Sequence, residues 1–165
     1  MNVVLRNNKN MFEKDKMLGN AQKKIDYSWG EFDQDVGEIL SWLEDNPDYK
    51  TIVAIAYGSL PLLTCIKNAY PELEYHIVHA SSYDNETQRE LVISQFNAIF
   101  WAEPILLIDE IVDTGYTMTA IKKRLEEQFK EVKTFSLFYK PHSIYKPDYF
   151  LYKVDSHLWV NMPWG

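Results

Sequence analysis

The sequence predicts an α/β protein, a central parallel sheet flanked by helices, and three observations carry that expectation. Thr51–Ala56 (TIVAIA) and Ile105–Ile108 are short apolar runs of the kind buried on both faces of a sheet. Ile121, Leu125 and Phe129 recur at the four-residue spacing of a helix face. Strand and helix signals alternate along the chain, and that order builds parallel strands joined by helical crossovers.

Residues 1–24 are polar, rich in Asn and Lys, and without clear periodicity. They read as an N-terminal extension, loose or dependent on a partner, ahead of a single domain over 25–165. Ser28 and Glu31 make an S-x-x-E capping box, and Phe32, Val36, Ile39, Leu40 and Leu43 fall on one face of the helix that follows. That helix ends near Asn46-Pro47. Thr51–Ala56 is the first strand. Gly58-Ser59 gives a turn, and Pro61 suits the first turn of a helix running to about Ala69. His76–His79 is the next strand, and residues 81–96, polar and then mixed, form a long excursion from the sheet. Ile105–Ile108 is a strand, the 121–129 spacing a helix, and Val132–Tyr139 a strand with Phe135, Leu137 and Tyr139 on one side. No internal repeat, low-complexity tract or interdomain linker interrupts the order.

Hydrophobic residues make up 46% and charged residues 25% of the 165, a balance that suits one folded domain with a sizeable core. The longest apolar stretches fall far short of the roughly 20 residues a membrane helix needs. The N-terminus carries no apolar segment long enough for a signal peptide. Cys65 is the single cysteine, so no internal disulfide forms, and a cytoplasmic location is the default expectation. A net charge of −7 argues against a surface that coats nucleic acid, whose phosphates are gathered by Lys and Arg. It leaves room for a small phosphate ligand held by backbone N–H groups and a metal.

The most informative segment is Ile105–Thr117, ILLIDEIVDTGYT. An apolar strand stops at Asp109 and Glu110, and Asp113-Thr114-Gly115-Tyr116-Thr117 turns into a helix. In open α/β sheets ligands sit beyond the carboxyl ends of the strands. The N–H groups and threonine hydroxyls of such a turn cradle a phosphate at a helix N-terminus, and Gly115 permits the angles that point several N–H groups inward. A bare D-T-G-x-T is also a common way to cap a helix; the full run, with its apolar strand and acid pair, is far more specific. It resembles the signature of type I phosphoribosyltransferases, which transfer ribose 5-phosphate from phosphoribosyl pyrophosphate to a nitrogenous base. The resemblance implies that fold, a central parallel sheet with a small C-terminal hood. It also implies a ribose-5-phosphate site made of Asp109, Glu110, Asp113, Thr114, Gly115, Tyr116 and Thr117. Asp109 and Glu110 would approach the ribose hydroxyls and Mg²⁺, and Asp113 would be the general base.

Further segments are similar to bacterial xanthine-guanine phosphoribosyltransferases. Ser81-Ser82-Tyr83-Asp84 with Gln88-Arg89-Glu90-Leu91 resembles their SSYD…QREL flexible loop. Trp159-Val160-Asn161-Met162-Pro163-Trp164 resembles their purine-binding W-[IV]-x-x-P-W, and Lys140-Pro141 their K-P. Tyr27-Ser28-Trp29 is compatible with their start, so the resemblance covers about residues 25 to 165. It implies that Trp159 stacks on a purine, that Lys140 meets the oxygen at C6, and that the Val160 carbonyl accepts from a C2 substituent. Arg89 would reach the pyrophosphate as its loop closes. Phosphoribosyl pyrophosphate and a 6-oxopurine would be the substrates, and relatives of this kind are usually homo-oligomers.

The chain also departs from that family. Its pyrophosphate loop, S-R-G-G in the resembled enzymes, reads Ala56-Tyr57-Gly58-Ser59 here. Tyr57 removes a fixed positive charge, and Ser59 adds a Cβ near the phosphates while offering a cap to the next helix. That loop commonly carries a non-proline cis peptide in the family, and the sequence leaves open whether the Ala56-Tyr57 bond keeps it. Glu110 replaces the commoner Asp, and Tyr116 a small residue. Three functions stay open: a purine salvage enzyme, a diverged nucleotide- or phosphoribosyl pyrophosphate-binding regulator, and a phosphoribosyltransferase for another base.

Overall fold

The computed structural model describes residues 14–15, 24–85, 88–93 and 101–165. Most of the expected N-terminal extension lies outside them. Two short strands come from that end of the chain, β1 (Lys14–Asp15) and β2 (Lys24–Asp26). Helix α1 (Trp29–Asp45) begins at the expected capping box. The Ser28 hydroxyl accepts from the Glu31 N–H at 3.2 Å and the Glu31 carboxylate from the Ser28 N–H at 2.8 Å. A cap of this kind stabilises a helix by about 1 kcal/mol. Phe32, Val36, Ile39 and Leu43 form its buried face, joined by Asp35 and Trp42, while Leu40 sits at the margin.

The chain continues through β3 (Thr51–Ala56), α2 (Leu60–Ala69), β4 (Glu74–Asn85), β5 (Gln88–Ile93) and β6 (Ile105–Val112). It ends through α3 (Tyr116–Glu126), β7 (Val132–Tyr139), β8 (Tyr149–Lys153) and β9 (Trp159–Asn161). One seven-stranded sheet runs β1-β8-β7-β6-β3-β4-β5. Every neighbouring pair in it is parallel except β4 and β5. Side chains alternate across it. Ile52 and Ala54 of β3, with Leu106 and Ile108 of β6, join the core under α1 and α2. Val53, Ile55, Ile105 and Leu107 meet Met118, Ile121 and Leu125 of α3 on the other face. This is the central parallel sheet flanked by helices that the sequence predicts.

Several local expectations change. The strand expected over Ile105–Ile108 runs on to Val112, because its main chain keeps pairing with β7 at Asp109↔Ser136, Ile111↔Phe138 and Val112↔Tyr139. The acid pair therefore sits inside a strand. The excursion at 81–96 is sheet in its described part: β4 continues to Asn85 and returns as β5, paired from Ala80↔Ile93 to Asn85↔Gln88. Phe135, Leu137 and Tyr139 do not share a side. The first two enter the α1–α2 core and Tyr139 the α3 core, because alternation breaks at Leu137 and Phe138, neighbours that both join the first core. Phe129 is buried just past the end of α3. Ser59 does not cap α2 with its side chain; its hydroxyl donates to the Ile55 carbonyl, while Pro61 stands in the first turn as expected.

A second, two-stranded sheet pairs β2 with β9 in parallel, Ile25 opposite Val160. The Tyr27 N–H donates to the Asn161 carbonyl at 3.0 Å, and the Asn161 amide to the Asp26 carboxylate at 2.7 Å. The hood is thus built from both sides of the main domain in sequence. Among the described residues, no helix is long and apolar enough to cross a membrane.

Candidate active site

β6 delivers Asp113 and Thr114 to Gly115, which stands at the N-cap of α3 with φ +85°. A Cβ at that position would meet the Tyr145 nitrogen at 2.8 Å as well as the Ser143 hydroxyl, so glycine is required for conformation and for space. No side chain caps α3, which sets aside the reading of Asp113 and Thr114 as caps and leaves the first-turn N–H groups to a ligand. Asp109, Asp113, Thr114, Gly115 and Thr117 line a small cavity of about 100 Å³ here. Tyr116 opens the helix and points out into solvent. A phosphate group suits that cradle.

Asp109 and Glu110 stand at the partition between this cavity and a larger one: Asp109 lines the small cavity and Glu110 the large. Asp109 is buried and accepts from the Glu110 N–H at 2.9 Å. Burial, and then the neighbouring Glu110 carboxyl, push its carboxyl well above the usual carboxylate range. Two adjacent hard-oxygen donors in such surroundings fit a cation that takes one or two carboxylates and completes its shell with waters and phosphate oxygens, as Mg²⁺ does. Among the described residues no group of three or more His, Cys, Asp and Glu forms a full protein cage.

The large cavity measures about 560 Å³. Asp113 and Lys140 form one wall, Tyr57 and Gly58 another, and Trp159, Val160, Met162 and Trp164 of the hood a third. Lys140 is 4% exposed, and its ammonium donates to Asp113 Oδ2 at 2.8 Å. His142 Nε2 lies 3.1 Å from Asp113 Oδ1. Trp159 is 62% exposed and offers its ring to the cavity. Beneath it Trp164 packs against Phe32, Trp29 and Tyr27 at centroid separations of 4.9, 5.7 and 6.3 Å.

A short loop, Tyr57–Ser59, follows β3. The Ala56-Tyr57 peptide is cis. Tyr57 is 72% exposed and meets His79 edge-on, ring centroids 4.4 Å apart. Gly58 lies against the Glu110 carboxyl so closely that any Cβ would strike it. Ser59 is buried, its hydroxyl engaged by Ile55, and does not line the cavity. Arg89 lies on β5, and its side chain is outside the described part of the structure.

The fold thus brings Asp109, Glu110, Asp113, Thr114, Gly115, Thr117, Tyr57, Gly58, Lys140, Trp159 and Val160 to one end of the sheet, around two adjoining cavities. It leaves the Ser59 side chain out of them. Sequence reasoning missed His142, whose contact with Asp113 no local pattern marks. It also left Met162 and Trp164 without a role, although both lie in the segment already singled out.

The phosphoribosyl transferase domain model matches residues 27–165. A xanthine-guanine phosphoribosyltransferase from Idiomarina loihiensis is 27% identical over 146 residues, covering 87% of this chain and 88% of the relative. Among solved structures, a purine phosphoribosyltransferase from Pyrococcus horikoshii superposes with a TM-score of 0.78 at 19% identity, over 87% of this chain and 95% of the other. A xanthine-guanine-hypoxanthine phosphoribosyltransferase from Helicobacter pylori gives 0.74 at 27% identity, over 86% and 93%. The match over nearly all the described residues makes the chain a member of the phosphoribosyl transferase family and a transferase.

Proposed function

We propose that this enzyme is a purine salvage phosphoribosyltransferase, transferring ribose 5-phosphate from phosphoribosyl pyrophosphate to a 6-oxopurine (guanine, xanthine or hypoxanthine) and releasing pyrophosphate. The observation that carries the reading is Lys140, buried in the cavity wall and bonded to Asp113. An ammonium retains further protons to donate to an oxygen at C6. Adenine presents a donor there, and facing it with a desolvated cation leaves both groups unpaired. The exposed Trp159 ring gives the flat base a surface to stack on. The relatives named above act on purines by their names, which agrees with this pocket.

In the reaction, purine N9 bonds to the anomeric carbon as the bond to pyrophosphate breaks and its electron pair leaves with pyrophosphate. The N7 proton passes to Asp113. Asp109 and Glu110 would hold Mg²⁺, which when bound neutralises charge gathering on the leaving group. The phosphate turn, residues Asp113–Thr117, anchors the 5′-phosphate, and Tyr57 and Gly58 of the loop after β3, with Arg89 of β5, would take the pyrophosphate. The setting is the cytoplasm and the form a homo-oligomer, whose size light scattering would give.

Incubating the purified protein with each base, phosphoribosyl pyrophosphate and Mg²⁺ should yield the matching nucleotide from oxopurines and far less from adenine. No product from any oxopurine overturns the reading. Asp113→Asn should lower turnover more than nucleotide affinity; equal losses remove Asp113 from the base role. A second reading, a nucleotide- or phosphoribosyl pyrophosphate-binding regulator, is favoured by Tyr57, a neutral exposed side chain where the resembled loop holds arginine. Tight nucleotide binding by calorimetry with no turnover would select it.

A further inference from the structure

Building on the base role proposed for Asp113, we infer that His142 is a positioning residue for that carboxylate, holding one oxygen while Lys140 holds the other. The two nitrogens reach it from one turn. The Lys140 N–H donates to the Val112 carbonyl at 3.0 Å, the Ser143 N–H to Lys140 at 3.0 Å, and the Ile144 N–H to Thr114 at 2.9 Å. These bonds fasten the turn after β7 to the very strand end that carries Asp113.

An aspartate carboxyl rotates softly about its last bond, because that torsion is broad and nearly two-fold. With Lys140 alone, either oxygen could face the ammonium and the carboxyl plane would be free to swing. A second nitrogen against the opposite oxygen biases the plane: Lys140 Nζ donates to Oδ2 at 2.8 Å, and His142 Nε2 lies 3.1 Å from Oδ1, an ion-pair contact that attracts the carboxylate when the imidazole is protonated. Each oxygen keeps acceptor capacity for a proton arriving from the cavity. His142 does not itself line the large cavity, so it works through Asp113 and not on the purine. Its side chain is 41% exposed and that of Asp113 44%, and ion pairs so open to water add little to stability. The consequence of losing it therefore falls on orientation.

The test compares His142→Ala with His142→Gln, whose amide N–H can reach the same oxygen. His142→Ala should lower kcat about tenfold with the KM for phosphoribosyl pyrophosphate little changed. His142→Gln should recover most of that loss, and both variants should unfold at the wild-type denaturant midpoint. In an Asp113→Asn background, His142→Ala should cost nothing further, because the base it orients is already gone. Full turnover in His142→Ala, equal losses in the two variants, or additive losses with Asp113→Asn would overturn the inference. Absence of wild-type turnover strikes the proposed function alone, and ¹⁵N spectra of the imidazole then decide the positioning role. The imidazole nitrogen shifts should differ between the wild type and Asp113→Asn; identical spectra would overturn it.

Discussion

Gly115 sits where conformation and crowding act together. Its φ of +85° already disfavours a side chain, and a Cβ would enter the space of Ser143 and Tyr145. Gly115→Ala should cost about 1–3 kcal/mol in urea unfolding, and a loss below that range would mean the turn relaxes easily. Lys140 makes a different kind of prediction. Lys140→Gln should lower kcat/KM for oxopurines by about 10- to 100-fold, the worth of a charged hydrogen bond. It should also narrow the gap between oxopurines and adenine, which competition assays would read. The phosphate-turn glycine was legible in the sequence because D-T-G-x-T is a local pattern. The His142 contact was not, since His142 and Asp113 meet only once the turn after β7 folds back onto the end of β6.

Among the elements, α1 is tied to the sheet and hood by a buried carboxylate. Asp35 accepts from the Tyr27 hydroxyl at 2.7 Å and from the Tyr152 hydroxyl at 2.9 Å, joining α1 to the end of β2 and to β8. Asp35→Ala removes both bonds, the one to Tyr27 buried and the one to Tyr152 half-buried, and should cost about 2–4 kcal/mol in chemical denaturation. Burial, and then the bond to Asp35, push both tyrosine hydroxyls far above their ordinary range. Groups raised in this way stabilise the fold below their unfolded value and lose that contribution as pH climbs past it. Stability should therefore fall above about pH 10, and the fall should be shallower in Tyr27→Phe. An equal slope in the two proteins would remove Tyr27 as its cause. Helix α1 could be read from its capping box and apolar spacing. Its Asp35 could not, because a polar residue on an apolar face announces a buried partner only when the partner is known. The short strands β1, β2, β8 and β9 escaped for a similar reason: they are defined by pairing with distant segments.

At the scale of the molecule, parallel pairing sets the end of β6, which carries the acid pair and leads into the phosphate turn, beside the ends of β3 and β7. The alternation of apolar strands and helices made that architecture legible. The hood was legible only as a tryptophan-rich tail, because half of it comes from Lys24–Asp26. Ile25 is the buried hinge of that sheet, and Ile25→Ala should cost about 2–5 kcal/mol. It should raise the KM for the purine more than that for phosphoribosyl pyrophosphate; the reverse order would detach the hood from base binding. The same pairing imposes a timetable on synthesis. β2 leaves the ribosome before any strand that lines the phosphate cradle, yet its partner β9 follows all of them. The half of the site proposed to grip ribose phosphate is built from strands near one another in sequence, while the half proposed to grip the base needs β2 and β9 to meet, with the apolar Ile25 unsheltered until then.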